Sequence, residues 1–374
     1  MVPDNLYLIA KILVYILPYS LTLLRQRFSA FRHRHVYTAL PASETKNVVV
    51  IGGSFAGVQI VKRLSETLPT GYRVVLLEKN SHLNYLFAFP RLAVARGLEN
   101  WGFIPYKGIT EGAPRGVFEH IKGEALEVTD GEVVLRNRER IGYEYLVVAT
   151  GTSSSLPSKV TSTEREAARQ ELRGMQDRIA DAKRIAVVGG GAVGVELVGD
   201  IKSFYPEKEV SLIHSRDSLL NSFGRELHKH VMQVFEEMGV AVLLNERPSI
   251  PEAGGTLRLL DGRELEFDLI IPCTGQRPNS AILSSLSSSS ISKATSRILV
   301  QPTLQLADAS LPHIFAFGDV AETGGPKMAR AAFIQSEVVL QNILAMIKGQ
   351  KSLKQYKPYA LFEGSIKLTL GKSG

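Results

Sequence analysis

Residues 184–215, RIAVVGGGAVGVELVGDIKSFYPEKEVSLIHS, decide the fold. Ile185 to Val188 form a short apolar run that ends abruptly in Gly189-Gly190-Gly191. Ala192 to Phe204 then carry apolar residues at helical spacing, and Val210 to Ile213 make a second apolar run. Strand, glycine turn, helix and strand in succession are one βαβ unit. Within it, Gly189, Gly191 and Gly194 complete G-x-G-x-x-G. The first glycine permits the tight turn, the second lets a pyrophosphate approach the backbone, and the third lets helix pack closely on strand. Free N–H groups and the helix dipole then face the phosphates. A glycine-rich turn in an ordinary α/β domain is the alternative, and the complete frame argues against it.

Residues 47–79, NVVVIGGSFAGVQIVKRLSETLPTGYRVVLLEK, repeat the arrangement. An apolar strand leads into Gly52-Gly53-Ser54-Phe55-Ala56-Gly57, and a helix, a second strand and an acid follow. Two such units imply two dinucleotides. Ser54 stands where the middle glycine is expected, and serine is small enough to keep the approach open and to offer its hydroxyl to a phosphate. The copies also differ at the end of the second strand, where a carboxylate accepts hydrogen bonds from an adenosine ribose. The first unit has Glu78 there, which suits an unphosphorylated adenosine. The second has His214-Ser215-Arg216, with no acid to repel a 2′-phosphate and a cation to meet it. That favours NADPH at the second site, with a solvated loop charge as the competing reading of Arg216.

Composition narrows the chemistry. A chain of 374 residues can bury one large core or two domains, and the paired motifs favour two. The single cysteine, Cys273, rules out an intramolecular disulfide and a CxxC redox pair. It lies in the apolar run Leu269 to Cys273 and reads as a buried, inert thiol. Redox chemistry here must come from a cofactor. No HExxH, paired Cys/His or GxSxG pattern is present, so metal and serine hydrolases have no support, and no metal site is expected. The net charge is +7, of which the first 35 residues hold +4, so a nucleic-acid stripe on the folded body is disfavoured.

Taken in order, the chain opens with Leu6 to Leu24, LYLIAKILVYILPYSLTLL, an almost continuous apolar stretch about long enough to span a bilayer. The basic segment Arg25 to His35 behind it would keep the body on the cytoplasmic side. A membrane anchor is therefore expected, with an organellar (mitochondrial) leader or a helix packed on the body as alternatives. Leu40 to Lys46 reads as a linker. Leu86 to Arg96 is expected to be helical, and Val117 to Val128 with Val133 to Leu135 to form a small antiparallel layer around Asp130-Gly131. Tyr145 to Ala149 and Leu269 to Cys273 are buried strands, each followed by Thr-Gly at a strand carboxyl end where ligands meet such sheets. Ser284 to Ser290 reads as a flexible serine loop. Ile314 to Phe317 is a last strand ending in Gly318-Asp319, and Met328 to Ile347 a long helix whose N-terminus suits a reduced flavin.

These residues resemble the two-dinucleotide flavoprotein reductases of the pyridine nucleotide-disulphide oxidoreductase-like superfamily, without the redox disulfide. Within that superfamily, the resemblance is to the apoptosis-inducing-factor-like and ferroptosis-suppressor type of FAD-dependent NAD(P)H:quinone oxidoreductase. It runs from about Asn47 onward and is carried by the paired fingerprints, Phe103 to Tyr106, Ala149-Thr150-Gly151, Tyr205 to Val210, Cys273-Thr274-Gly275, Gly318-Asp319, Pro326 to Ala329 and Tyr356-Lys357-Pro358. It implies an α/β fold of two Rossmann-like domains, for FAD and NAD(P), the second inserted in the first, behind an N-terminal apolar helix. The expected divisions are 1–45 anchor and linker, 46–155 and 291–348 FAD-binding, 156–290 NAD(P)-binding, and 349–374 a C-terminal region that family members continue.

For the FAD site the resemblance implies Gly52 to Gly57 on the pyrophosphate, Glu78 on the ribose, Arg91 near the phosphate-ribitol side and the Ile121 backbone at the adenine. Thr150, Gly151, Gly318 and Met328 belong beside the cofactor, and Asp319 on the ribitol. Glu196 resembles the family's glutamate facing the nicotinamide, with a helix-dipole role as its alternative. The implied activity passes electrons from NAD(P)H through FAD to a quinone-like acceptor. The competing functions are an NAD(P)H-sensing signalling flavoprotein with little turnover, and a reductase for a protein or oxygen. Members of this type are often attached through an N-terminal myristoyl glycine, which Met1-Val2 cannot provide.

Overall fold

The computed structural model describes residues 4–251 and 255–372. Its parallel strands are β1 (Lys46–Ile51), β2 (Tyr72–Glu78), β3 (Phe118–Lys122), β4 (Tyr145–Val148), β5 (Arg184–Val188), β6 (Glu209–Ile213), β7 (Ala241–Leu243), β8 (Leu269–Pro272) and β9 (Ile314–Ala316). The principal helices are α1 (Asp4–Val36), α2 (Phe55–Ser65), α3 (Arg165–Asp181), α4 (Ala192–Phe204), α5 (Arg225–Glu237) and α6 (Ala329–Ile347).

Two compact units result. The first comprises Met1–Glu78, Lys107–Thr150 and Ser280–Pro358. Its parallel sheet has the order β9-β4-β1-β2-β3. Val48, Val49 and Val50 are wholly buried, as are Leu146, Val147 and Ile314. Both faces of such a sheet are covered, which is why its central strands read as continuous apolar runs rather than alternating ones. Each buried valine or leucine contributes about 1.5–3 kcal/mol relative to exposure. α2 packs against α6 in this unit.

The second unit comprises Lys79–Tyr106, Gly151–Asn279 and Tyr359–Gly374, and its sheet runs β7-β6-β5-β8. α3 buries Ala168, Leu172, Met175 and Ile179, spaced three and four apart, in a core shared with Phe89, Phe103, Val195 and Leu212. Residues 79–106, expected within the FAD-binding division, cluster with this unit, and residues 280–290 cluster with the first.

Three local expectations are corrected. Phe118–Lys122 does not belong to the antiparallel layer: it pairs in parallel with β2, Leu77 opposite Ile121 and Glu78 opposite Lys122. As an edge strand it is half-buried and less apolar than its neighbours, so its pattern resembles a solvated hairpin strand. The antiparallel layer is Ala125–Thr129, Glu132–Leu135 and Arg140–Gly142, turning at Asp130-Gly131 as expected. Leu86 to Arg96 is not one helix but a 3-10 turn, Leu86–Ala88, and a four-residue helix, Phe89–Leu92: Pro90, fifth in the expected helix, has no N–H for the Leu86 carbonyl and starts a new helix instead. The serine stretch is ordered: Ser287 and Ser290 are buried, and the Ser287 hydroxyl bonds Ser290 Oγ at 2.9 Å and Asp308 at 2.9 Å.

α1 is helical over 33 residues. The side chains of residues 1–16, 18 and 19 lie outside the description, and with them most of the expected anchor. Among the described residues no helix is long and apolar enough to cross a membrane. Leu21, Leu24, Phe28 and Phe31 are exposed. The C-terminal end of α1 is docked on the first unit. There His33 Nε2 donates to Leu68 O at 2.7 Å, Tyr37 Oη to Tyr72 O at 3.0 Å and the Thr38 N–H to Thr70 Oγ1 at 3.0 Å.

Candidate functional site

In the first unit, β1 delivers Gly52 into the turn with φ +102°, and a Cβ there would lie 2.5 Å from Ala149 O. The turn is thus pressed onto the end of β4. A Cβ on Gly57 would lie 1.7 Å from Gly52 O, so only glycine lets α2 close on the turn. The Gly53 N–H donates to the Glu78 carboxylate, which is buried at the end of β2. Ser54 caps α2 with extended backbone, yet its side chain makes no cap hydrogen bond. The Ser54 side chain thus leaves the N-terminus of α2 uncapped, and the helix dipole there suits an anion. A Cβ on Gly318 (φ +76°) would sit 3.3 Å from the Ala56 Cβ, so the end of β9 reaches the same turn. The Gly318 N–H donates to Gln335 Oε1 at 2.9 Å, while the half-buried Asp319 accepts from Arg297 through its carbonyl at 3.2 Å. Gly52 to Ser54, Glu78, Thr150, Gly318 and Asp319 lie at strand carboxyl ends, Phe55 to Gly57 open α2, Ile121 is on β3, and Met328 is the N-cap of α6. Lys327 donates to Ala321 O at 2.6 Å, and burial holds its ammonium below the usual range.

The second unit repeats the construction. Gly189 has φ +127° and a Cβ there would lie 2.7 Å from Cys273 O, while a Cβ on Gly194 would lie 1.9 Å from Gly189 O. Around Gly191, by contrast, a Cβ would meet nothing within 4 Å. The Gly190 N–H donates to His214 Nδ1 at 3.0 Å. Accepting at Nδ1 makes Nε2 the protonated nitrogen of the neutral ring, and Nε2 is buried without a partner. Burial holds the imidazole below its usual range. A dinucleotide carrying acceptor oxygens fits this orphaned donor and the open cradle at Gly191. Arg216 is exposed. Cys273 is half-buried rather than buried as expected, and desolvation pushes its thiol up to about 12.

Glu196 and Arg91 have partners that the sequence does not show. Glu196 Oε1 accepts from the Thr369 N–H at 3.1 Å and from its hydroxyl at 3.3 Å, and burial raises its carboxyl above the usual range. Arg91, in the second unit, donates through Nε to Asp200 Oδ1 at 3.0 Å and through Nη2 to Gly371 O at 2.7 Å. Asp200 is 1% exposed, its Oδ2 has no partner, and burial raises its carboxyl too. A Cβ on Gly199 would lie 2.9 Å from Gly371 N, so the C-terminal segment crosses α4 at closest approach. Sequence reasoning missed Thr369, Asp200 and Gln335. A lone buried glutamine on an apolar helix was the available signal for Gln335, and nothing marked Thr369. Among the described residues there is no cluster suited to a metal.

Two glycine turns at strand carboxyl ends, each with its second N–H held by the residue that ends the neighbouring strand, define a two-nucleotide oxidoreductase. The family described as pyridine nucleotide-disulphide oxidoreductase matches residues 46–336, and the chain belongs to it. Fe-regulated protein 8 of Mycosarcoma maydis is 36% identical over 369 residues, covering 89% of this chain and 88% of that protein. Ferroptosis suppressor protein 1 of Homo sapiens is 30% identical over 340 residues, 87% of each. In fold the chain is similar to the sulfide:quinone oxidoreductase of Aquifex aeolicus, with a TM-score of 0.67 at 20% identity over 82% of this chain and 78% of that one. The cofactors are FAD and NAD(P)H, and the cradles described above fit both.

Proposed function

We propose that the chain passes electrons from NAD(P)H through FAD to a quinone-like acceptor. The observation that carries this reading is the pairing of two complete nucleotide turns with a single cysteine: no dithiol is available, so electrons leave the flavin for an acceptor that comes to it. When bound, FAD supplies the two-electron chemistry. The chain's residues bind and orient. α2 and α4 turn their N-termini, with their positive dipole ends, toward the phosphates. Glu78 and Asp319 offer carboxylates to sugar hydroxyls, and the cation Lys327 lies close enough to Asp319 to feel its charge. At the second turn, His214 Nε2–H and Arg216 favour NADPH, since both present positive density where an acid would repel a 2′-phosphate. The apolar end of α1 attaches the chain to a membrane with the body on the cytoplasmic side.

The test is to purify the full chain, record a flavin spectrum, and follow anaerobic bleaching by NADH and NADPH before adding a soluble quinone. Bleaching by either nucleotide and recovery of colour on adding quinone are expected. A flavin that bleaches but regains colour only with oxygen or a protein acceptor would overturn the quinone assignment.

A further inference from the structure

The first unit holds a cavity of about 540 Å³ whose walls come from α1, α2, α6 and the segment 354–357 and include no residue of its glycine turn. Its volume is within the range of ligand sites. Other hollows are less suited. That beside Arg34 and Gly112 is about 20 Å³, room for a water. Those along α1 at Phe28 and along α5 at Met232 each follow a single helix or a helix and its neighbouring strand.

The walls divide by chemistry. Leu23 of α1 and Phe333, Ile334 and Val338 of α6 supply apolar lining. Leu23 and Phe333 keep 40% and 42% of their surface exposed, a large apolar area for side chains that line a pocket. The charges are uneven. Arg63 is committed to Glu66 and Glu337, both at 2.6 Å, and Lys62 to Glu66. Glu337, the one carboxylate of the lining, is thereby neutralised. Lys354 and Lys357 are exposed at the rim and form no ion pair among the described residues. An apolar slot with two unpaired ammonium groups at its mouth is complementary to one kind of molecule, an alkyl chain ending in an anion.

We propose that this cavity binds a long-chain fatty acid, with the alkyl chain between α1 and α6 and the carboxylate at Lys354 and Lys357. The lining includes no residue of either glycine turn, and occupancy is read without turnover.

The experiment uses the full chain and a fluorescent anthroyloxy fatty acid, displaced by palmitate, dodecanoate or methyl palmitate. Saturable binding at one equivalent is expected. Palmitate should displace at least about tenfold better than its methyl ester, since the ester lacks the charge that the lysines hold. Dodecanoate, shorter by four methylenes, should be about a hundredfold weaker. Leu23→Trp, on an exposed helix face, fills the slot and should weaken binding by about tenfold or more. Phe333→Ser, also at an exposed position, gives the same readout should Leu23→Trp lose its native circular dichroism. Lys354→Glu with Lys357→Glu should abolish the preference for acid over ester. Equal affinity for acid and ester, wild-type affinity in both slot variants, or uptake that never saturates would each overturn the assignment.

Discussion

The two glycine turns are built alike and finished differently. In each, the first and last glycines are fixed by packing, with no room for a Cβ at Gly57 or Gly194. In each, the middle N–H is held from the end of the neighbouring strand: by the Glu78 carboxylate in the first unit, by the neutral His214 ring in the second. One acceptor carries a charge and the other only a lone pair. The backbone device is therefore independent of the acceptor's charge, and the charge is left to set which adenosine the turn admits. On the function proposed above, the buried carboxylate favours a ribose with free hydroxyls, and the imidazole, whose far nitrogen has no partner, favours acceptor oxygens.

The equality of the two frames is broken most severely by Gly57→Ala and Gly194→Ala. Each puts a methyl carbon within 2 Å of a backbone oxygen, and overpacking of this kind costs about 3 kcal/mol or more. Both variants should lose several degrees in Tm, Gly57→Ala with loss of bound flavin and Gly194→Ala with flavin retained but no longer bleached by nucleotide. Retention of flavin in Gly57→Ala would show that the frames are not equivalent.

Next in size, Glu78→Gln removes the charge and keeps the shape. Hydrogen bonds to a charged group are worth about 1.5–3 kcal/mol, so flavin affinity should fall about tenfold to hundredfold, measured by retention through gel filtration. Arg216→Glu sharpens the other side: KM for NADPH should rise by up to about a hundredfold while that for NADH stays nearly constant. A wild-type chain that reduces with NADH and ignores NADPH would return Arg216 to the status of a surface charge.

The smallest effect is acidic. The unfolded chain protonates His214 near its ordinary value, about 6.5, whereas burial holds the folded ring lower. The unfolded state then binds more protons, so this stabilising contribution is complete above about pH 6.5 and is lost as pH falls through it toward the folded value. Protonation also makes Nδ1 a donor facing the Gly190 N–H. His214→Asn, whose amide oxygen can still accept from Gly190, should flatten the acid limb of Tm. An unchanged limb would assign that sensitivity to other groups.

Much of this was legible. The bounds of α4 follow from the spacing of its apolar residues, and both turns follow from glycines whose roles are local. What escaped depends on distant chain. Glu196 is satisfied by Thr369, 173 residues away, and Asp200 by Arg91, 109 residues away. No periodicity connects such partners. Ser287 and Ser290 are buried because Asp308 and their own hydroxyls satisfy them, which composition alone reads as polar and loose. β3 escaped because an edge strand carries the alternation of a hairpin.

The docking of α1 turns that helix into a strut. His33, Tyr37 and Thr38 clamp its C-terminal end to the first unit, and the helix continues unbroken back through Leu24. The nine helical steps from Leu24 to His33 hold the apolar end about 14 Å from the clamp, at a fixed azimuth, where a flexible tether would leave both free. One alanine inserted between Leu24 and the clamp would therefore swing whatever surface the apolar end engages by about 100° around the body, and four would bring it nearly back into phase.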